Sequence, residues 1–257
     1  MWDSKALLVL VEPERSSEAR IRLAADLADR FDCTLIGLAS GTAKAADELR
    51  VAEERFHTVS RKAAPIREWR SFIAPPAEAR LGEARAADLL ILGWNRRTAA
   101  GPPAEFRKFR LRKLLGQAGR PILLVPDGLG VLDASRILVA WSDTQAARRA
   151  ITAALPLLRL AQQVQLVDAL NGVEDGVSRR SLSDITRYLL RHDVPAEEMH
   201  STQPNGLTPG HILRIAQRLG ADLIVSGVDG ASGCRAVALE NQVNPARHFK
   251  ECWLLSR

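Results

Sequence analysis

The chain is short of the residues that usually announce chemistry. Only three of its 257 residues are cysteine, one is tyrosine, and aromatics make up 5%. Cys33, Cys234 and Cys252 lack the close pairing of a zinc site or a disulfide framework, so they are expected as buried thiols. The histidines, His57, His192, His200, His211 and His248, are scattered, with no two at metal-ligand spacing on one helix, and are expected at the surface or at helix caps. Neither a Gly-x-Ser-x-Gly elbow nor a Walker loop ending in Gly-Lys-[Ser/Thr] occurs, and catalysis is not expected. No apolar run approaches the roughly 20 residues that cross a bilayer. Met1-Trp2-Asp3-Ser4-Lys5 leads into an apolar strand without a signal-peptide pattern, so a cytoplasmic protein with no membrane association is expected.

What is present suits a compact fold. Hydrophobic residues are 46% of the chain and charged residues 26%, enough of both for a packed core and a solvated surface. The net charge of +6 is concentrated locally. Between Arg96 and Arg120 lie eight basic residues against the single acid Glu105, a local +7 that leaves the remainder near −1. Two readings of that segment stand side by side. Arg96, Arg97, Arg107, Arg110 and Lys113 form an anion-binding patch, for which arginine offers paired donors to phosphate. Alternatively, they are the solvated face of a helix (105–118) whose Phe106, Phe109, Leu111, Leu114 and Leu115 are buried. Aromatic and basic residues do not interleave as in a stacking platform, so nucleic acid is not an expected partner.

One apolar stretch occurs twice. Ala87-Asp88-Leu89-Leu90-Ile91-Leu92-Gly93 and Ala221-Asp222-Leu223-Ile224-Val225-Ser226-Gly227 align at an offset of 134. Such a run, closing on glycine, is the pattern of a central strand of a parallel sheet covered on both faces. A second pairing, Ser4-Lys5-Ala6-Leu7-Leu8-Val9 with Ser135-Arg136-Ile137-Leu138-Val139-Ala140, aligns at about 131. Two nearly equal offsets predict a tandem duplication. The expected domains are 1–127 and 135–257, joined by a linker at 128–134.

Periodicity fills in each half. The first is expected to hold strands at 6–11, 34–39, 66–72, 89–93 and 121–126, separated by helices; the second restarts at 136–141 and ends on Cys252–Leu255. Strand and helix alternate throughout, which specifies two doubly wound α/β domains, each with a five-stranded, mostly parallel sheet. Further expectations are Ser16 or Ser17 capping the first helix, a helix over 181–192 opened by a Ser181/Asp184 capping box, and a kink at Pro156.

After the second repeated strand come Val228-Asp229-Gly230-Ala231-Ser232-Gly233. The order of elements, the strand ending in glycine, and Gly227-x-x-Gly230 resemble the nucleotide-binding universal stress proteins in their tandem form. That resemblance implies the adenine nucleotide alpha hydrolase-like fold and a stress-response or regulatory role. It also implies a loop of pattern G-x-x-G, nine residues, then G-[S/T] that wraps the phosphates of ATP, and an aspartate just past strand one facing the adenosine. Here the candidates for ATP are Gly227, Gly230, Gly233 and, after a one-residue shift, Asp143; the plainer reading of Asp143 is the N-cap of its own helix. The pattern is incomplete. Glu240-Asn241 stand where the family has glycine and a hydroxyl residue, Gly93-Trp94-Asn95-Arg96 lacks the second glycine, and Glu12-Pro13-Glu14 replaces the aspartate turn. The expectation is therefore a protein with weak or lost nucleotide binding and no required cofactor. The alternative is ATP binding, with slow hydrolysis, in the second domain. Family relatives associate through their last strands, which implies a pseudo-dimer within the chain through 121–126 and 252–255, and a homodimer as a further partner state.

Overall fold

A computed structural model of the chain describes residues 5–12, 17–41, 46–64, 66–73, 82–94, 114–169, 176–199, 206–228 and 250–257. Two compact units make it up, the first containing every strand as far as Pro126 and the second everything from Asp133 onward.

In the first unit the elements run β1 (Ala6–Val11), α1 (Glu18–Arg30), β2 (Thr34–Gly41), α2 (Ala46–Ser60), β3 (Arg67–Ile73), a 3-10 turn (Glu83–Ala86), β4 (Leu89–Trp94) and β5 (Ile122–Pro126). The strand order is β3-β2-β1-β4-β5, and each neighbouring pair is parallel. The second unit repeats it. β6 (Arg136–Trp141), α3 (Gln145–Leu158), β7 (Gln163–Asp168), α4 (Gly176–Leu190), β8 (Ala196–Met199), α5 (Pro209–Leu219), β9 (Leu223–Gly227) and β10 (Cys252–Ser256) give the order β8-β7-β6-β9-β10, again parallel throughout. Each unit is thus the doubly wound, five-stranded parallel sheet expected from the alternating pattern.

The residues explain the placement. Leu7, Leu8, Val9 and Val11 on β1, and Ile137 to Trp141 on β6, are buried without alternation because the central strand of each sheet is covered on both faces. Beside β1, α1 lays down Ile21, Leu23, Ala24, Leu27 and Ala28 at helical spacing. β3 pairs on one side only and alternates, leaving Ile73 exposed, as an edge strand does. Cys33 and Cys252 are buried free thiols. Burial, with Asp88 and Asp32 nearby, raises the Cys33 thiol to about 11, which keeps it protonated and unreactive at neutral pH.

The aspartates shared by the two repeated stretches have a structural use. Asp88 Oδ2 accepts the backbone N–H groups of Lys5 (2.7 Å) and Ala6 (3.1 Å), while its own N–H donates to the Ala6 carbonyl. Asp222 Oδ2 likewise accepts from Ser135 N (2.9 Å), and its N–H donates to the Arg136 carbonyl. Each carboxylate pins the start of the central strand to the start of its neighbour. These bonds also correct the alignment of the first strands. Lys5 is equivalent to Ser135 and Leu7 to Ile137, an offset of 130, because Leu7 pairs with Leu89 as Ile137 pairs with Leu223. Matching by polarity alone missed the register by one residue, since a continuous apolar run carries no phase.

Several local expectations change. α4 begins at Gly176, so Ser181 lies inside the helix and does not cap it; its Oγ accepts the indole N–H of Trp141 at 3.0 Å. Ser17 occupies the N-cap of α1 without a capping bond from its side chain. Pro156 stands inside the last turn of α3, which continues past it to Leu158. Where the first repeat has Leu92, the second has Ser226, buried in β9 and satisfied by the indole N–H of Trp253 on β10 at 2.8 Å. His211 meets the capping expectation: its Nδ1 accepts from Thr208 N while Thr208 Oγ1 accepts from His211 N, a reciprocal box at the start of α5.

Candidate functional site

In each unit the direction of strand addition reverses between the first and fourth strands, and ligands of doubly wound sheets sit beyond the carboxyl ends of the strands at that point. The second unit places there the end of β9, the turn after β6 and the first turn of α3. Gly227 closes β9. A methyl group at position 227 would lie 2.6 Å from Ala146 C and Ala147 Cα, and closer still to Ala147 N. Glycine is thus required for the strand to approach the helix backbone, quite apart from any ligand.

Asp143 is exposed, its side chain 62% accessible, and forms an ion pair with Arg148. It does not cap α3. The N-cap is Thr144, in extended conformation, whose Oγ1 accepts from Ala147 N at 3.2 Å. Sequence reading gave that role to Asp143, one residue too early, because both types cap well and only the backbone dihedrals select between them. Gly230 and Gly233 lie outside the described residues, as do Arg96, Arg97, Arg107, Arg110 and Lys113. Of the basic helix, residues 114–117 are described as helical, with Leu115 buried.

The first unit builds the same place differently. Gly93, which matches Gly227, faces the guanidinium of Arg20, the third residue of α1. A methyl group at 93 would come within 2.8 Å of Arg20 Cζ and would overlap Nη1. In the second unit the third helical residue is Ala147, and the helix backbone itself meets the glycine. Here a side chain fills the gap. Arg20 is buried, its side chain 7% accessible. Nε donates to the Leu10 carbonyl at 3.0 Å, Nη2 donates to Ser17 Oγ at 2.9 Å, and Nη2 lies 3.5 Å from Glu12 Oε2. Ser17 Oγ also accepts the Glu12 N–H (3.2 Å), which is why it is unavailable as a helix cap. Sequence reading passed over Arg20, since one arginine between apolar positions of an amphipathic helix looks like a solvated residue.

A separate open groove of about 470 Å³ lies on α4 and β8, lined by Arg179, Arg180, Ser183, Asp184, Arg187 and Glu198. Arg187 reaches Asp184 at 3.8 Å, so its arginines are partly neutralised from within. Among the described residues no cluster of three or more histidine, cysteine, aspartate or glutamate side chains could hold a metal ion, and no helix is long and apolar enough to cross a membrane.

No protein-family model matches the sequence, and no curated protein matches it. Solved structures do. A universal stress protein from Archaeoglobus fulgidus superposes with a TM-score of 0.69 at 14% identity, over 97% of this chain and 96% of that one. A functionally unknown protein from Pseudomonas aeruginosa gives 0.63 at 15% identity, over 99% of this chain and 92% of that one. A candidate universal stress protein, also from Pseudomonas aeruginosa, gives 0.63 at 17% identity, over 99% and 93%. At such identities the likeness is one of backbone, and it runs along nearly the whole chain. The chain has the fold of the universal stress proteins.

Proposed function

We propose that this chain is a stress-response or regulatory protein of the universal stress protein kind, acting without catalysis and with nucleotide binding weak or lost. One observation carries the reading. Among the described residues, both positions that the resemblance assigns to the nucleotide have internal uses, Gly227 against the Ala146–Ala147 backbone and Asp143 with Arg148. The near full-length correspondence to the Archaeoglobus protein supports the stress-protein part of the proposal.

The second reading is an ATP-binding protein with slow hydrolysis, using Gly227, Gly230, Gly233 and Asp143. It is favoured by the position of Gly227 beside the first turn of α3, where a helix N-terminus attracts phosphate. A thermal-shift titration with ATP and Mg²⁺ separates the two. Saturating ligand at a hundredfold excess over its dissociation constant would stabilise the protein by about 2.7 kcal/mol. An unchanged melting temperature at millimolar ATP supports the first reading, and a saturable rise overturns it in favour of the second.

A further inference from the structure

The outer edge of the second sheet joins an open row of backbone groups to an arginine-lined groove. Among the described residues β8 pairs with β7 alone. The Pro195 carbonyl accepts the Val164 N–H at 3.1 Å, in register with the pairing of Ala196 to Val164, so residues 195 and 197 direct their backbone groups at β7. Successive residues of a strand face opposite ways, which turns the N–H and C=O of Glu198 and the C=O of Ala196 to the open side. The Ala196 N–H is bonded to the Val194 carbonyl at 2.8 Å. An extended chain laid along β8 would complete the remaining groups.

Above that edge stands α4, which packs on β7 and β8. Its Arg180, Asp184 and Arg187 fall on one stripe at helical spacing and line the groove of about 470 Å³ together with Glu198 of β8. Arg180 is exposed and has no acceptor among the described residues. Arg187 meets Asp184 at 3.8 Å with both side chains 67% accessible, a pairing that water screens. Glu197, on the opposite face of β8, is held by Gln165 at 2.7 Å. The edge of the first unit differs. On β3, Arg70 donates to Glu83 at 2.7 Å and to Glu68 at 3.0 Å, so its charge is satisfied within the unit.

We propose that the β8 edge is a docking surface for an acidic, extended segment of a partner protein, which adds to the second sheet as a further strand and turns carboxylates toward Arg180 and Arg187. Backbone bonds to residues 196 and 198 hold the segment whatever its sequence, and the guanidinium groups supply the preference for acid. Glu198 disfavours a second copy of this chain there, since its β8 would bring an identical carboxylate to the same edge. The surface lies two strands out from β6, and the inference does not depend on whether the second unit takes a nucleotide.

The test uses the full-length chain and a labelled peptide of about ten residues alternating Glu and Thr, longer than an ordinary strand. The peptide should bind saturably at low salt, weaken as salt is added, and slow exchange of the Glu198 amide. Its counterpart with Lys in place of Glu should bind at least about tenfold more weakly. Methylating alternate backbone nitrogens of the acidic peptide should abolish binding in at least one of the two phases, because the ladder donors are lost. Arg180→Glu combined with Arg187→Glu should lower affinity at least about tenfold with the melting temperature unchanged, and Glu198→Gln should raise affinity. Absence of saturable binding overturns the proposal, as does equal binding of the Lys peptide. Binding indifferent to both methylation phases overturns it too, since attraction would then be to charge alone. A dimer of the chain that the double substitution dissolves would give the edge to a second copy and likewise overturn it. The peptide comparisons need no variant and decide the matter if the double substitution does not fold.

Discussion

Replacing Gly227 with alanine asks what the glycine at the end of the repeated strand is for. The added methyl would stand 2.6 Å from two backbone atoms of α3, Ala146 C and Ala147 Cα. Ordinary carbon–carbon contact begins near 3.5 Å, so the first turn of the helix must retreat by about 1 Å, and backbone has no rotamer by which to step aside. α3 packs on β6, β9 and β10 and carries Ala150, Ile151, Ala154, Leu157 and Leu158 into the core, so the shift is felt along the whole helix. Overpacking of this kind costs typically about 1–3 kcal/mol. Urea unfolding of the ligand-free protein measures it, as a fall in midpoint at constant slope. Gly93→Ala is the natural comparison. Its collision is with the tip of the Arg20 side chain, which can swing away, so the loss comes from the displaced guanidinium and not from helix backbone. A Gly227→Ala variant within about 0.5 kcal/mol of the native protein in the absence of ligand would refute this reasoning and return the glycine to a ligand-binding role.

Three other substitutions probe assignments that the structure makes. Thr144→Ala should cost about 1 kcal/mol through loss of the α3 cap, while Asp143→Ala, whose ion pair is exposed, should fall within about 0.5 kcal/mol of neutral; thermal or urea unfolding distinguishes them, and the reverse order would return the cap to Asp143. Asp222 has its pKa raised, first by burial and further by Asp133, against the bonds it accepts from the backbone. Its Oδ1 is buried without a hydrogen-bond partner among the described residues. The folded state therefore takes up a proton more readily than the unfolded chain, so the stability of the native protein relative to an Asp222→Asn variant should rise as pH falls from neutrality toward about 3.9, the unfolded carboxyl value, and level off below it. A difference that falls over that range would contradict the assignment. Asp88, its counterpart, has Arg120 Nη1 at 3.6 Å from Oδ1.

The sequence alone determined the class of fold. Continuous apolar runs alternating with amphipathic helices admit a covered parallel sheet and little else, because only a strand buried on both faces needs no polar phase. The repeated Ala-Asp-(apolar)-Gly run went further, marking β4 and β9, but the use of the aspartate common to both copies, as the pin that holds β1 and β6, emerged only from the structure. Register was not legible, for the same reason that the strands were: a run with no alternation looks alike when slid by one residue, and only the hydrogen bonds of Asp88 and Asp222 settle the offset at 130. Tertiary structure also decided what stands at each switch point. Whether a strand-ending glycine meets helix backbone, as at Gly227, or an arginine tip, as at Gly93, depends on how closely a helix approaches a strand more than 70 residues away in sequence. Local propensity carries no record of that distance, so Arg20 looked like surface until folding brought it against Gly93 and Glu12.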